Sequence, residues 1–346
     1  MSDRLLVSAI VPVYNARQDL DQCLDALLSS SYEHLEILVV DDASTDDVAP
    51  IALEKGIPVF RQEVQSGPAA ARNLGVRHAK GEILFFVDSD VVVKTDSIER
   101  LVENFQSDPD IAAVFGSYDD TPGASNFFSQ YKNLFHHFVH QESSREAVTF
   151  WAGCGAIRRD VFEATHGFDQ ERYSRPSIED IELGNRLTRM GYRIVLDKHI
   201  QVQHLKRWTF SSLIKTDIFC RAVPWSNLML EAGETVRDLN LKKSHRISTG
   251  LVALSLMMVP FSFLKPQLLY LTAVCLIIII GLNWNLYRFF FEKRGITFAV
   301  AAFPMHLLYY LYSGAAFTGC WFINIMASKS SSSPEDLSHK ASRRYR

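Results

Sequence analysis

Ile83-Leu84-Phe85-Phe86-Val87-Asp88-Ser89-Asp90 decides the fold. Its five leading apolar residues show no polar alternation, so they read as a strand buried on both faces. Two carboxylates, two positions apart, then close it. The same grammar repeats outward. Val7–Val13 and Leu35–Val40 are short apolar runs, the second ending in Asp41-Asp42, and Val59-Phe60 and Ile111–Phe115 add further strands. Helical spacing fills the gaps. Asn15 can cap a helix with Gln18 as reciprocal partner, followed by Leu20, Leu24, Leu27 and Leu28. Ser44 with Asp47 is a second capping candidate, before a helix stopped at Gly56. Pro68 to Lys80 reads as a helix opened by Ser66-Gly67, and Ile98, Leu101, Val102 and Phe105 mark another. Strand and helix alternating through short connections predict an α/β fold with a mostly parallel, doubly wound sheet. Such sheets bind ligands at the carboxyl ends of their strands, where these acidic residues fall.

The chain has 346 residues, with 36 Lys+Arg against 39 Asp+Glu. That near-balance excludes a polybasic nucleic-acid binder and a highly charged disordered chain. Cys23, Cys154, Cys220, Cys275 and Cys320 are scattered without a CxxC pair, which fits a reduced compartment and no structural zinc site.

At the density of Asp88-Ser89-Asp90, hard oxygen ligands suit Mg²⁺ or Mn²⁺ holding a diphosphate. A turn or helix cap is the alternative from these residues alone. A calcium loop is excluded, because Val92 and Val93 stand where an oxygen ligand and a glycine are needed. Asp41-Asp42 suits either a helix cap or a carboxylate accepting from a pyrimidine N–H. No GxGxxG follows the first strand and no GxxxxGK[ST] occurs, which disfavours dinucleotide oxidoreductases and P-loop enzymes.

Taken together, Val11-Pro12-Val13-Tyr14-Asn15, Val40-Asp41-Asp42-Ala43-Ser44-Thr45-Asp46, Gly67-Pro68-Ala69-Ala70-Ala71-Arg72-Asn73-Leu74-Gly75 and Phe86-Val87-Asp88-Ser89-Asp90 resemble family 2 glycosyltransferases, in order and spacing. Gly167-Phe168-Asp169 and Glu179-Asp180-Ile181-Glu182-Leu183 resemble the second half of that pattern, over about residues 7–205. The resemblance implies a GT-A fold, a UDP- or GDP-linked sugar donor, a divalent cation and inversion at the anomeric carbon. It also implies that Pro12, Tyr14 and Asn15 line the base and ribose and that Asp42 accepts from the base. Arg72 would lie near the phosphates, or pair with a sheet-end carboxylate. Asp90 would be the direct metal ligand, and Asp88 would lie nearer the ribose or a metal-bound water, with Ser89 between them. His204 matches a place where related enzymes keep a metal or phosphate contact; a structural histidine is the alternative.

Asp180 is the expected general base. Leu183, Leu187 and Met190 follow it at helical spacing, so it should face inward while Glu179 points roughly 100° away, on the acceptor side. Trp151 and Gly153, in Trp151-Ala152-Gly153-Cys154-Gly155, resemble the loop before the acceptor site. Gln203 to Trp208 spells Gln-x-x-x-Arg-Trp, one residue longer than the Gln-x-x-Arg-Trp of polymer-forming members. His136, His137 and His140 lack the glutamate of HExxH and read as an acceptor-side helix.

Three apolar stretches, about 247–263, 267–283 and 297–326, predict a multi-pass membrane region after an aromatic and basic interfacial linker, 206–246. Pro304 or Gly314 would kink the third, and the serine-rich tail, 327–346, reads as disordered. That tail carries Lys340, Arg343, Arg344 and Arg346, so either the third stretch is re-entrant or in-plane or the positive-inside rule is broken here. Met1 to Val13 lacks a signal-peptide core, and Lys242, Lys243, Arg246, Arg288, Lys293 and Arg294 favour the inside. The expected protein is thus an inner-membrane enzyme with a cytoplasmic catalytic domain. Its acceptor would be a lipid or lipid-linked saccharide, with a polysaccharide synthase or an idle GT-A scaffold as alternatives.

Overall fold

The computed structural model describes residues 5–232 and 243–330. Two compact units emerge from it: residues 5–213 with 285–302, and residues 214–232, 243–284 and 303–330.

Among the described residues the first unit is built on nine strands: β1 (Val7–Val13), β2 (Leu35–Asp41), β3 (Val59–Arg61), β4 (Ile83–Val87), β5 (Val91–Val93), β6 (Ile111–Tyr118), β7 (Glu146–Ala147), β8 (Cys154–Arg158) and β9 (Arg193–His204). Seven helices flank them: α1 (Arg17–Leu28), α2 (Ala49–Glu54), α3 (Gly67–His78), α4 (Ser97–Ser107), α5 (Phe127–Gln141), α6 (Arg159–Ala164) and α7 (Glu179–Arg189). The sheet order is β3-β2-β1-β4-β8-β6-β9-β5, with β7 on β9. One half, β3-β2-β1-β4, is parallel as expected. Beyond it β8 runs antiparallel to both β4 and β6, so the sheet is mixed. Strand direction depends on where the long excursion through α5 and β7 returns, and no apolar pattern carries that. β1 and β4 are buried along their whole length, as unbroken apolar runs require. Phe85, Phe86 and Phe115 are fully buried, each worth about 1.5–3 kcal/mol by removal from water.

Two capping expectations are corrected. α1 begins at Arg17 with Ala16 at its N-cap and no side-chain cap, so Asn15 and Gln18 form no capping box. α2 begins at Ala49, and Ser44 instead accepts the Asn15 N–H at 3.1 Å. Trp208, expected at a bilayer interface, is buried in the first unit, where its carbonyl accepts from Asn126 at 2.6 Å.

The second unit holds the end of α8 (Phe210–Lys215), a π-helix (Thr216–Ala222), α9 (Val223–Ala232), α10 (Lys243–Phe261), α11 (Gln267–Leu282) and most of α12 (Trp284–Ser330). Val252, Ile279 and Tyr310 form its core, and Asn283 bonds Ser248 at 3.1 Å and Tyr310 at 2.7 Å. Met257, Phe263, Leu264, Tyr270, Ile277 and Ile323 are exposed. Among the described residues one helix is long and apolar enough to cross a membrane, Trp284–Ala327, with mean hydropathy 1.3. The three-span expectation is not supported. α11 has 16 residues, about 24 Å of rise against a hydrocarbon core of about 30 Å. α10 spends its first turn on Lys243, His245 and Arg246. α12 leaves helical geometry at Gly295 (φ 79°), which only glycine adopts without strain, and at neither Pro304 nor Gly314. Its first turns pack within the first unit, where Phe290 meets Tyr131, Lys293 pairs with Asp120 and Arg294 donates to Gln130. The expected tail, 327–346, lies outside the described residues apart from its first four positions.

Candidate active site

The carboxyl ends of β1, β2 and β4 meet on one edge of the sheet. Pro12 is buried there beside Val40, and Tyr14 is 42% exposed on the following turn. Asn15 sits at φ 50° and accepts the Thr45 N–H at 2.7 Å and the Asp46 N–H at 3.3 Å. It ties the loop after β1 to the loop after β2. Asp41 is fully buried, accepting from the Ser44 N–H and from Arg61. Asp42 accepts two N–H groups from the start of α3, Ser66 at 2.7 Å and Gly67 at 2.9 Å. Burial raises the Asp42 carboxyl above its ordinary range, against the pull of those two donors. Gly67 has φ 87°, and a Cβ there would lie 2.7 Å from the Ser174 carbonyl oxygen. Bare backbone is therefore required where Asp42 docks.

At the end of β4, the Arg72 guanidinium reaches two carboxylates: Asp88 at 2.7 Å and Glu179 at 2.8 Å. Arg72 and Glu179 are buried and Asp88 is half-buried. Arg72 also stands 5.5 Å over the Phe168 ring. Of the two sequence readings of Arg72, the ion pair with a sheet-end carboxylate is the one formed. The expectation that Asp180 faces inward while Glu179 turns away from the core is corrected: Glu179 is the more buried of the two. The buried Arg72 charge draws it inward, and its other oxygen accepts the Ser177 N–H at 3.0 Å.

Asp180 is half-buried at the first turn of α7. Its oxygens accept the Ala152 N–H at 3.1 Å and the Ile181 N–H at 2.8 Å. Burial, then the neighbouring Glu179 charge, push Asp180 up to about 7 despite Arg72 and both N–H donors. α7 can approach this closely because Gly184 has no side chain: a Cβ there would sit 2.2 Å from the Phe150 nitrogen. Leu183 and Leu187 are fully buried, but Met190, expected on the same stripe, is 52% exposed because the helix has ended. The Asp88 N–H bonds the Gly153 carbonyl at 3.2 Å, so the loop 151–153 touches both the β4 end and Asp180. Trp151 is half-buried, and its ring lies 2.6 Å from where a Gly153 Cβ would stand.

Asp90 and His204 are brought together by ladder register. β5 pairs antiparallel with β9, Val91 opposite His204, and the Asp90 carbonyl accepts the Leu205 N–H at 2.8 Å. His204 Nε2 then stands 3.6 Å from Asp90 Oδ2. Burial opposes the Asp90 charge, but His204 and Lys206 outweigh it and hold the carboxyl down at about 2. Asp88 is moved the other way, since burial raises it even beside Arg72. Ser89 between them is buried. Among the described residues no three His, Cys, Asp or Glu side chains gather as a metal cage. The pair Asp90 and His204 still suits a cation that takes its remaining ligands from a diphosphate and water. Two neighbouring ligands of an octahedral Mg²⁺ stand about 3 Å apart, close to the spacing found.

Lys206 and Tyr118 enter the site here beside His140, which the sequence placed on an acceptor-side helix. Lys206 is exposed, acts on Asp90 and stands 4.8 Å over the Trp208 ring. Tyr118 stacks on His204, and His140 meets Trp151 edge-on at 5.6 Å. Burial, then the His137 charge, push His140 down to about 4, leaving it neutral. The sequence signal for Lys206 was its place two residues after His204. For Tyr118 there was none.

A mixed nine-stranded sheet flanked by helices, with acidic strand ends gathered on one edge, defines a GT-A-type α/β domain. Residues 8–165 match the profile of glycosyl transferase family 2, so the chain carries a family 2 glycosyltransferase domain. Glycosyltransferase GlyG of Streptococcus pneumoniae is 37% identical over 131 residues, 36% of this chain and 43% of that protein. The O-antigen chain rhamnosyltransferase RfbN of Salmonella typhimurium is 27% identical over 235 residues, 63% of this chain and 74% of that protein. The chain spans less than half the length of the first curated relatives it matches. The solved mannosyltransferase PcManGT of Pyrobaculum calidifontis, in complex with GDP-Man and Mn²⁺, has the same fold. Its TM-score is 0.56 at 19% identity, over 92% of this chain and 88% of that one.

Proposed function

We propose that this chain is an inverting glycosyltransferase that moves one sugar from a UDP- or GDP-linked donor to a hydroxyl of a lipid or lipid-linked saccharide. The observation that carries this is Asp180: a half-buried carboxylate raised to about 7, beside the Arg72 bridge that joins the β4 end to α7. A base poised near neutral pH is what deprotonation of a sugar or lipid hydroxyl needs.

Asp180 takes the proton as the acceptor oxygen attacks the anomeric carbon from the face opposite the leaving diphosphate. One displacement inverts the centre, and no covalent intermediate forms. Asp90 and His204 would hold Mg²⁺ or Mn²⁺, which neutralises charge gathering on the diphosphate. Lys206, held 4.8 Å over the Trp208 ring, adds a positive charge that acts on Asp90. Arg72 holds Asp88 and Glu179 at fixed spacing, and Asp42 braces the start of α3 against the nucleotide edge. PcManGT, solved with GDP-Man and Mn²⁺, supports the donor and cation class.

The exposed apolar side chains of the second unit and the α12 helix support residence in a membrane, and the basic residues at 243, 246, 288, 293 and 294 favour a cytoplasmic catalytic domain at the inner membrane. Single transfer is preferred over polymer synthesis, because Trp208 of Gln-x-x-x-Arg-Trp is buried with its backbone bonded to Asn126 and Ser129.

The test is a panel of UDP- and GDP-sugars incubated with the full chain, Mn²⁺ and a membrane extract, reading nucleotide release. Release that needs both Mn²⁺ and extract is expected for one donor. Absence of UDP and GDP binding in the presence of Mn²⁺ would overturn the reading in favour of an idle scaffold.

A further inference from the structure

The Tyr118 ring lies parallel to the His204 imidazole, with centroids 4.3 Å apart and planes 18° from coplanar. It also meets Trp151 edge-on at 4.7 Å, and His136 follows at 5.9 Å. Register explains the stack. Tyr118 ends β6 opposite Val202 of β9, and His204 lies two residues further along β9 on the same face. The Tyr118 backbone is itself pinned, because its carbonyl takes a bond from His137 Nδ1 at 2.7 Å and from Ser117 Oγ at 2.9 Å. Tyr118 is 7% exposed and His204 is 6% exposed, so the stack is closed to solvent.

A parallel stack opposes turning the imidazole about its Cβ–Cγ bond, because that tilts its face off the tyrosine ring. Rotation is what would carry Nε2 away from Asp90, 3.6 Å off. The same tyrosine touches Trp151, whose neighbour Ala152 donates to Asp180 at 3.1 Å. One ring thereby contacts side chains on both the donor-side and acceptor-side walls.

We infer that Tyr118 is a positioning residue that sets the plane of His204 toward Asp90, so that the two present a ready-made pair of ligands to the donor's divalent cation. The inference rests on the proposed reading of Asp90 and His204 as the cation site. It requires a flat ring at 118 and makes no demand on the tyrosine hydroxyl.

The experiment counts bound Mn²⁺ by electron paramagnetic resonance on the full chain in detergent, with UDP or GDP present. Tyr118→Leu is expected to weaken Mn²⁺ binding about tenfold, whereas Tyr118→Phe keeps the wild-type affinity within twofold. In turnover, Tyr118→Leu should raise the Mn²⁺ concentration for half-maximal rate by the same factor, with most of the rate restored at saturation. A merely structural role would lower folded yield and leave Mn²⁺ affinity untouched. Should Tyr118→Leu fail to fold, Tyr118→Met fills the space without a flat ring, and the same contrast is read against Tyr118→Phe. Wild-type Mn²⁺ affinity in the ring-less variant overturns the inference and leaves the cation site standing. No Mn²⁺ bound by the wild-type chain with either nucleotide overturns the cation site and this inference together.

Discussion

Arg72 Nη1 lies 2.8 Å from Glu179 Oε1 while Nη2 lies 2.7 Å from Asp88 Oδ1. One buried guanidinium thus joins the end of β4 to the first turn of α7, segments about ninety residues apart in the chain. Arg72 remains charged, since the Asp88 and Glu179 carboxylates outweigh the burial that opposes its charge.

Breaking this bridge should be costly. Arg72→Met leaves Glu179 buried without its cation, a situation that costs about 3–5 kcal/mol. Arg72→Lys restores the charge but offers a point where a fork is needed. Thermal melts should show a large drop for Met and a smaller one for Lys. Equal melting temperatures in all three proteins would mean the bridge contributes nothing.

Asp180→Asn keeps the shape of the side chain and an oxygen to accept from Ala152. Folded protein and retained nucleotide binding are expected, with turnover down about 10²–10⁴-fold. Full activity in that variant removes Asp180 from its role.

The raised Asp180 carboxyl sets a pH dependence. Below about 7 it is protonated and cannot take the acceptor proton, so kcat/KM should rise with pH through that value and then level. Stability runs the opposite way. A carboxyl that titrates near 4 when unfolded and near 7 when folded favours the fold fully at low pH, and that contribution is lost as pH climbs through the folded value. A pH–rate profile of the wild type that lacks this limb counts against the assignment.

Asp90 is held anionic, and His204 faces it. Asp90→Asn should abolish the Mn²⁺-dependent part of nucleotide affinity, and chelation of divalent cations should do the same to the wild type. Titration calorimetry with and without chelator reads both. Nucleotide affinity indifferent to cation in the wild type would remove Asp90 from the metal.

Gly184→Ala probes the seat of α7. Its methyl would meet the Phe150 nitrogen at 2.2 Å, which is backbone and cannot swing aside. The helix must lift, at a cost of about 1–3 kcal/mol, and Asp180 moves with it. Loss of turnover should exceed the loss of stability; an unperturbed enzyme would show the packing is looser than found.

Much was legible in the linear order of residues. Unbroken apolar runs mark β1, β2 and β4 because a strand covered on both faces has no polar side to show. Carboxylates at their ends mark the ligand edge, because parallel strands deliver their carboxyl termini to one side. Gly67 and Asp42 were singled out before their contact could be known.

Other features waited for three dimensions. That Glu179 faces inward was hidden, because helical spacing assigns faces but not the buried Arg72 charge that meets them. The pairing of Asp90 with His204 depends on which residue of β5 stands opposite which of β9. Ladder register comes from backbone hydrogen bonds between segments over a hundred residues apart, and no local pattern encodes it. Residue chemistry and order thus settled which groups the protein carries and on which edge of the sheet they gather. Their mutual distances, and the protonation those distances impose, were decided by packing alone, since electrostatic coupling acts through space rather than along the chain.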